Sequence, residues 1–447
     1  MAKKIFLIAG LTGVQKKGNQ TMKNTIYYLA RDGFKITLFT FLPNRYHDLS
    51  PMSCGMFDES RDVIEYHPIP LWITPFFFAG SYMKKRIGKT SIAEHKKTLL
   101  PSDEVPNYFS QNNLFARLTY LVFWYLYVML ETPRIILYSL KKKPDLFYGY
   151  EVYGARVASI AGRILRKPVV TRFQGTPLKI NEQRNWNTLY PHGVLGLKSK
   201  ADAVIMANDG THGDAILERL GAPKEKIFFW HNGIDINFVI NTQHGEELEK
   251  RYDLNKKTVL LSVSKLVLWK RVDRAVWALS ALKTDYGVNN AFLFVVGDGT
   301  ERAYIESLAV KYDVSDSIHF AGAVPHEKLW TYFTLADIFV ILQDVGNLSN
   351  QVFEALSFGL PIVSLDDGST TGILKNQYNA LLIKKQNIET DVPRALAMLI
   401  KNKKMREGLA SRAKETFASS VCTWEERMER EQKLLNTLIN NEHKTSY

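Results

Sequence analysis

Only two cysteines, Cys54 and Cys422, occur in 447 residues. A disulfide framework and a cysteine-built metal site are thereby excluded, and a reducing compartment is expected. There is no H-x3-H, C-x2-C or H-E-x-x-H spacing, and no D-x-D follows an apolar run that reads as a strand. No metal and no other cofactor is implied. Fixed-period repeats, low-complexity tracts and heptad-rich regions are also missing, which removes solenoid, fibrous and coiled-coil classes. Acidic residues are the scarcer charge, 45 against 58 Lys and Arg, for a net charge of +13. That surplus favours an anionic partner, but no RNA- or DNA-binding motif accompanies it, and nucleic acid is not expected. The apolar run 118–130, "LTYLVFWYLYVML", reaches about 20 Å as a helix, short of the roughly 30 Å of a bilayer core. The opening "MAKKIFLIAGLTG" is basic and then apolar like a signal peptide. Polar "QKKGNQ" stands where a cleavage site belongs, so the segment reads as a first β-strand.

What is present is a globular composition, 46% hydrophobic and 23% charged, long enough for two or three cores. "KIFLIAG", a helical "TMKNTIYYLARDG" and "KITLFTF" form a strand–helix–strand unit closed by Gly33. "DLFYGY", "KPVVTRFQG", "DAVIMAN" and "KIFFWHNG" continue the alternation. A second series follows a charged stretch near 240–257: "TVLLSVSKL", "AFLFVVGDG", "SIHFAGAV", "DIFVILQ", "LPIVSLD" and "NALLIK". The pattern predicts α/β architecture with two doubly wound, Rossmann-like parallel sheets. The expected division is 1–234, with an irregular insertion at 67–113 and the apolar helix 118–130, then 235–422. A charged amphipathic helix over 423–447 either closes the second domain or returns to the first.

The stretch "GNLSNQVFEALSFGLP" at 346–361 carries the sharpest chemical signal. Ser349 or Asn350 is placed to cap a short helix that Gly359 and Pro361 stop. Its first turn holds no acidic residue, leaving unpaired N–H groups and the positive end of the dipole for an anion. Asn350 and Glu354 are four apart and share a face. A carboxylate one turn into the helix suits two hydroxyls rather than a phosphate. A nucleoside diphosphate offers phosphates and then a ribose diol at that separation. Charge-assisted hydrogen bonds of this kind contribute roughly 1.5–3 kcal/mol each. The plainer reading is a buried helix whose glutamate pairs with a lysine or reaches solvent.

Four fragments occur in order: "VLLSVSKLVLWKRVDRAVWAL", "FLFVVGDGTERAYIESLA", "IHFAGAVPHEKLWTYFTLADIFV" and "VFEALSFGLPIVSLDDGSTTGILKNQYNALLI". Together they closely resemble the C-terminal domain of the retaining GT-B glycosyltransferases of family four (glycosyl transferases group 1). "HNGID" at 231–235 resembles the family's interdomain turn, and the match is strong over roughly 205–435. The resemblance implies a GT-B fold with an interdomain cleft, and transfer with retention of a sugar from a nucleotide-sugar donor to a hydroxyl of a glycan or lipid-linked acceptor. It places Glu354 on the donor ribose and Lys270 on the diphosphate. Lys265 stands where the family usually has arginine, and supplies charge without a bidentate fork. Asn347, Leu348, Ser349, Asn350 and Gln351 at the helix start, with Gly13 and Gly297, are placed at the donor. Three positions depart from the family: Gly346 replaces the first motif glutamate, Gln174 a common histidine, and Gly372 a later glutamate. Gln174 donates a hydrogen bond but carries no proton.

In the first domain, Gly10, Gly13 and Gly18 form a loop that matches neither Walker A nor G-x-G-x-x-G, and signals only a backbone free to approach a ligand. Glu151 and Gln174 follow strand ends and join Lys265 and Lys270 as candidate catalytic groups. Asn208 and Asp209 either cap a helix or bind substrate, and His231 reads as structural. The run 118–130, flanked by "MKKR" at 83–86 and "KKK" at 141–143, reads as a core helix or one lying against an anionic membrane surface. A cytoplasmic enzyme of polysaccharide biosynthesis, peripheral on the inner face of a membrane, is the expected setting. A non-catalytic subunit of the same fold is the rival, on the evidence of Gly346, Gln174 and Gly372. An epimerase acting on the donor is a third reading.

Overall fold

The computed structural model describes residues 2–10, 20–40, 64–68, 114–234, 240–368, 370 and 372–445. The chain divides into two compact units. Among the described residues, the first comprises 2–233 and 422–445, and the second runs from Ile234 to Val421.

Unit 1 is built on a seven-stranded parallel sheet of β1 (Lys4–Gly10), β2 (Lys35–Thr40), β3 (Ile64–Pro68), β4 (Leu146–Tyr150), β5 (Val169–Phe173), β6 (Ala203–Ala207) and β7 (Ile227–Trp230). Its order is β3-β2-β1-β4-β5-β6-β7, so the winding reverses between β1 and β4. The strands are near-continuous apolar runs because both faces are covered. One face carries α1 (Gln20–Arg31) and the chain's last helix, Trp424–Thr445, through Met22, Ile26, Trp424, Met428, Leu435 and Ile439. The other carries α2 (Leu114–Lys142) and α3 (Glu151–Leu165) through Trp124, Tyr127, Ile135, Val157 and Ala161. The C-terminal helix therefore returns to the first unit.

The apolar run at 118–130 is not a 13-residue helix. It lies within α2, which continues for 29 residues and passes through Pro133. Crossing the proline puts Glu131 in the interior, 1% exposed, and Arg134 meets it one turn on at 2.7 Å. The pair supplies the countercharge that a buried carboxylate requires.

Unit 2 repeats the winding with β8 (Thr258–Val263), β9 (Ala291–Val296), β10 (Ile318–Gly322), β11 (Ile338–Ile341), β12 (Ile362–Asp366) and β13 (Ala380–Lys384). The order is β10-β9-β8-β11-β12-β13, all parallel, with its reversal between β8 and β11. Helices α4 (Asp273–Thr284), α5 (Asn350–Ser357), α6 (Ile388–Lys401) and α7 (Lys403–Ser420) are among those that cover it. Val276, Leu279 and Leu396 pack on one face; Val352, Phe353 and Leu356 of α5 pack on the other. In an open α/β sheet the reversal leaves a crevice at the carboxyl ends of the strands, the usual place for a ligand.

Candidate functional site

The β8/β11 reversal gathers most of the donor-side candidates. Lys265 and Lys270 lie on the loop after β8, and α5 begins nine residues after Ile341 ends β11. Lys265 is exposed. The Lys270 ammonium lies 4.1 Å from the centroid of the Trp269 ring and donates to Oε1 of Gln343, immediately beyond β11. The lysine loop is braced from the β9 side. Leu266 N–H donates to the Asp298 carbonyl at 2.9 Å, and Gly297, at φ +138°, lies so close that a Cβ would meet the Ser264 carbonyl at 1.8 Å. Gly297 thus shapes the loop that carries Lys265.

The start of α5 is left open, without a side-chain cap or an acidic first turn. Ser349 has cap backbone angles, but its hydroxyl makes no capping bond, and the first turn holds no acidic residue. The N–H groups of Asn350 and Gln351 have no carbonyl partner inside the helix. Glu354 sits one turn further on, 3% exposed. Asn347 and Leu348 turn inward instead: Leu348 joins the core, while Asn347 is fully buried. The Asn347 side chain brackets the backbone of Gln343 and donates to Asp367 at 2.8 Å. Their side chains brace the loop, and only their backbone is left to face a ligand.

Besides Ser349, three buried polar side chains near the strand ends of this sheet were not singled out by the sequence. Ser264 Oγ, Gln343 Nε2, Ser349 Oγ and Thr370 Oγ1 are buried and make no hydrogen bond. Ser264 and Gln343 follow β8 and β11, Ser349 opens α5, and Thr370 lies on the loop after β12; buried polar atoms left unpaired require a physical reason. For Ser264 and Gln343 the signal was position, at the ends of the apolar runs "VLLSVS" and "DIFVILQ". Asp344, close to the missing motif glutamate, is committed elsewhere. It is 2% exposed and paired with Arg274 at 2.7 Å and Arg271 at 3.7 Å. Gly346 itself adopts φ +73°, where a side chain would be strained.

In unit 1 the carboxyl ends of β4 and β5 bring Glu151 and Gln174 together. Glu151 takes φ +59° at the junction of β4 and α3, and its carboxylate accepts the Gln174 backbone N–H at 2.9 Å. Burial pushes the Glu151 carboxyl up to about 7, with Asp209 adding to the rise and the Gln174 N–H and Arg172 opposing it. The Gln174 amide oxygen accepts from Asn232 at 3.2 Å, and Asn232 accepts from Arg172 at 3.3 Å. Arg172, 1% exposed, reaches Glu431 of the C-terminal helix at 3.0 Å; Arg427 at 2.9 Å and the Tyr148 hydroxyl at 2.5 Å meet the same carboxylate. Burial would raise Glu431, but the two guanidiniums outweigh it and hold the group below its ordinary range. Asp209 accepts from Thr211, and His231 Nδ1 lies 3.1 Å from the Asn208 carbonyl. Gly13 and Gly18 lie outside the described residues. Among the described residues no three His, Cys, Asp or Glu side chains come together as a metal site.

Residues 245–416 match the family described as Glycosyl transferases group 1. The match lies within unit 2. Proteins similar to this chain include an uncharacterised glycosyltransferase of Methanocaldococcus jannaschii, 25% identical over 54% of this chain and 60% of its own length. A GDP-mannose-dependent alpha-mannosyltransferase of Mycobacterium tuberculosis is 27% identical over 42% and 46%. The chain thus spans about half the length of the curated relatives it matches. Among solved structures, Anabaena HepE in complex with UDP superposes with a TM-score of 0.65 at 15% identity, covering 96% of this chain and 99% of that one. Sucrose-phosphate synthase of Thermosynechococcus elongatus gives 0.66 at 16%, covering 98% and 100%. The fold is GT-B, an α/β fold of two Rossmann-like domains.

Proposed function

We propose that this protein is a retaining hexosyltransferase that moves a sugar from a nucleoside diphosphate donor to a hydroxyl of a glycan or lipid-linked acceptor. One observation carries the donor half of this reading. At the β8/β11 reversal, an uncapped helix start, two lysines and a buried glutamate one turn into α5 converge. The N–H groups near Ser349–Gln351 and the Lys265 and Lys270 ammoniums stabilise the departing diphosphate as its charge develops. Glu354 accepts from the ribose hydroxyls. No metal is required in this reading, because the cations and the helix dipole take the charge. Similar proteins support the donor class: HepE was solved with UDP, and two Mycobacterium tuberculosis relatives are GDP-mannose-dependent.

Unit 1 supplies the acceptor side, where Glu151 and Gln174 present a carboxyl and an amide at the strand ends. The Glu151 carboxyl, protonated up to near neutral pH, either donates to or accepts from a sugar hydroxyl. Only two cysteines in the chain fit a cytoplasmic setting. Gly346, held at φ +73°, favours a second reading, a nucleotide-binding subunit without transferase activity.

The test is a thermal-shift titration of the full chain with UDP, GDP and ADP in the presence of EDTA, beside Glu354→Ala. A ligand at about a hundred times its Kd stabilises the folded state by roughly 2.7 kcal/mol. A shift with one nucleotide, lost in Glu354→Ala, identifies the donor class. No shift with any nucleotide makes Glu354 a packing residue and ends the reading. Donor binding without sugar transfer or donor hydrolysis selects the non-catalytic subunit.

A further inference from the structure

Helix α2 has two faces of opposite exposure and the same apolar chemistry. Trp124, Tyr127, Val128 and Ile135 are buried against the sheet and α3. Leu118, Val122, Tyr125, Met129, Leu137 and Leu140 are 50–68% exposed. Their spacing of three and four residues, with exposed Pro133 between Met129 and Leu137, makes one continuous stripe along the outer side of the helix. From Leu118 to Leu140 it extends about 33 Å. A lone exposed leucine needs no explanation, but an apolar strip of this length on a soluble surface marks an interaction face.

Charge tells what the strip meets. Helices α2 and α3 both end at the edge of the sheet where strands begin, since each leads directly into β4 or β5. At that edge Lys4, Lys141, Lys143, Arg163 and Arg166 are exposed, and Ile164, 58% exposed, extends the apolar surface. The nearby acids are engaged: Glu65 takes Lys142 and the Tyr138 hydroxyl, and Asp145 accepts the Lys4 N–H. An apolar strip beside a cationic rim is complementary to an anionic lipid surface, where acyl chains take the stripe and headgroup phosphates take the lysines and arginines.

We propose that α2 docks the protein on an anionic bilayer, lying in the plane of the interface. The helix does not cross. Its inner face is bound into unit 1 by the Trp124 indole N–H, which donates to Val152 O at 3.4 Å, and by the packing of Tyr127 on Tyr153. It also buries Glu131, whose exposure to acyl chains would be costly. The proposal stands apart from the sugar-transfer reading and uses none of its residues.

The test is flotation of the full chain with phosphatidylglycerol–phosphatidylcholine vesicles and with phosphatidylcholine alone at low salt, beside the triple variant Val122→Ser, Met129→Ser, Leu137→Ser. These side chains are exposed, so the variant keeps the wild-type fold and circular dichroism. Flotation with anionic vesicles, weak with neutral ones and reduced at least tenfold in the triple variant, is the expected result. Absence of flotation overturns the proposal, as does flotation that the variant leaves unchanged. Labelling of Met129→Cys with a water-soluble maleimide, located by peptide mass, separates the other occupants. Fast labelling that anionic vesicles suppress agrees with docking. Blocked labelling without vesicles means that the chain's own residues or a second copy covers the face, and overturns it.

Discussion

The Arg274 guanidinium holds the Asp344 carboxylate at 2.7 Å inside unit 2, and donates a second bond to the Leu342 carbonyl, also at 2.7 Å. Neither side chain is more than 2% exposed. The arrangement ties α4 to the end of β11, directly beneath the loop that leads to α5. Asp344 lies two residues from the position where the family carries a glutamate, but its oxygens are occupied by guanidiniums rather than turned to a donor. Removing one partner strands the other charge in the interior. Asp344→Ala is expected to destabilise the protein by about 3–5 kcal/mol in urea denaturation, a loss far above the usual surface effect.

Glu151 sets a pH dependence. Its ordinary value is 4.5, and burial first, then Asp209, raises it to about 7 in the folded protein. A raised carboxyl keeps its proton in the native state while the unfolded chain releases it. Its contribution is therefore most favourable below pH 4.5, and stability falls as pH rises to about 7. The change is worth about 3 kcal/mol at most. Glu151→Gln removes the titration. The stability difference, variant minus wild type, should grow by up to this amount between pH 4 and pH 8, as read by denaturation at each pH. A flat difference would show that Glu151 ionises normally.

The C-terminal helix is a structural part of unit 1. Its Glu431 neutralises two buried arginines, Arg172 from β5 and Arg427 one turn away, and accepts from Tyr148 of β4. Glu431→Leu leaves both guanidiniums buried without their carboxylate. A loss of about 3–5 kcal/mol is expected, and restoring charge with Glu431→Asp should recover only part of it. Comparison of the two variants by thermal melting separates the charge from the packing.

How much of this was legible in the sequence varied with the range of the interaction. The strands of both sheets were readable because runs such as "TVLLSV" and "AFLFVV" are buried on both faces and bounded by polar loops. The placement of Glu354 one turn into a short helix was readable because the helix start, its stop and the spacing from Asn350 are all local. The passage of α2 through Pro133 was not, since only the buried Glu131–Arg134 pair and packing on α3 make that continuation stable. Arg274 with Asp344, and Arg172 with Glu431, join residues 70 and 259 positions apart and leave no mark on periodicity. For the same reason Asn347 looked like a ligand-binding residue, although its side chain holds Gln343 and Asp367.

Lys270 is already organised around its neighbours. Its ammonium donates to Gln343 Oε1 and rests over the Trp269 ring, so in the proposed reaction the donor diphosphate would draw it away from both. On the proposed mechanism, replacing its charge removes a contact that would strengthen as negative charge develops on the leaving diphosphate. Lys270→Met is therefore expected to lower kcat by at least a hundredfold while weakening UDP or GDP affinity by only about tenfold. Gln343→Leu removes the resting partner without touching the ammonium and should leave nucleotide affinity within about threefold of wild type. Steady-state transfer rates and nucleotide titration on the two variants check the contrast. Equal losses of kcat and of nucleotide affinity in Lys270→Met would show a lysine that binds ground state and transition state alike, and would take it out of the chemistry.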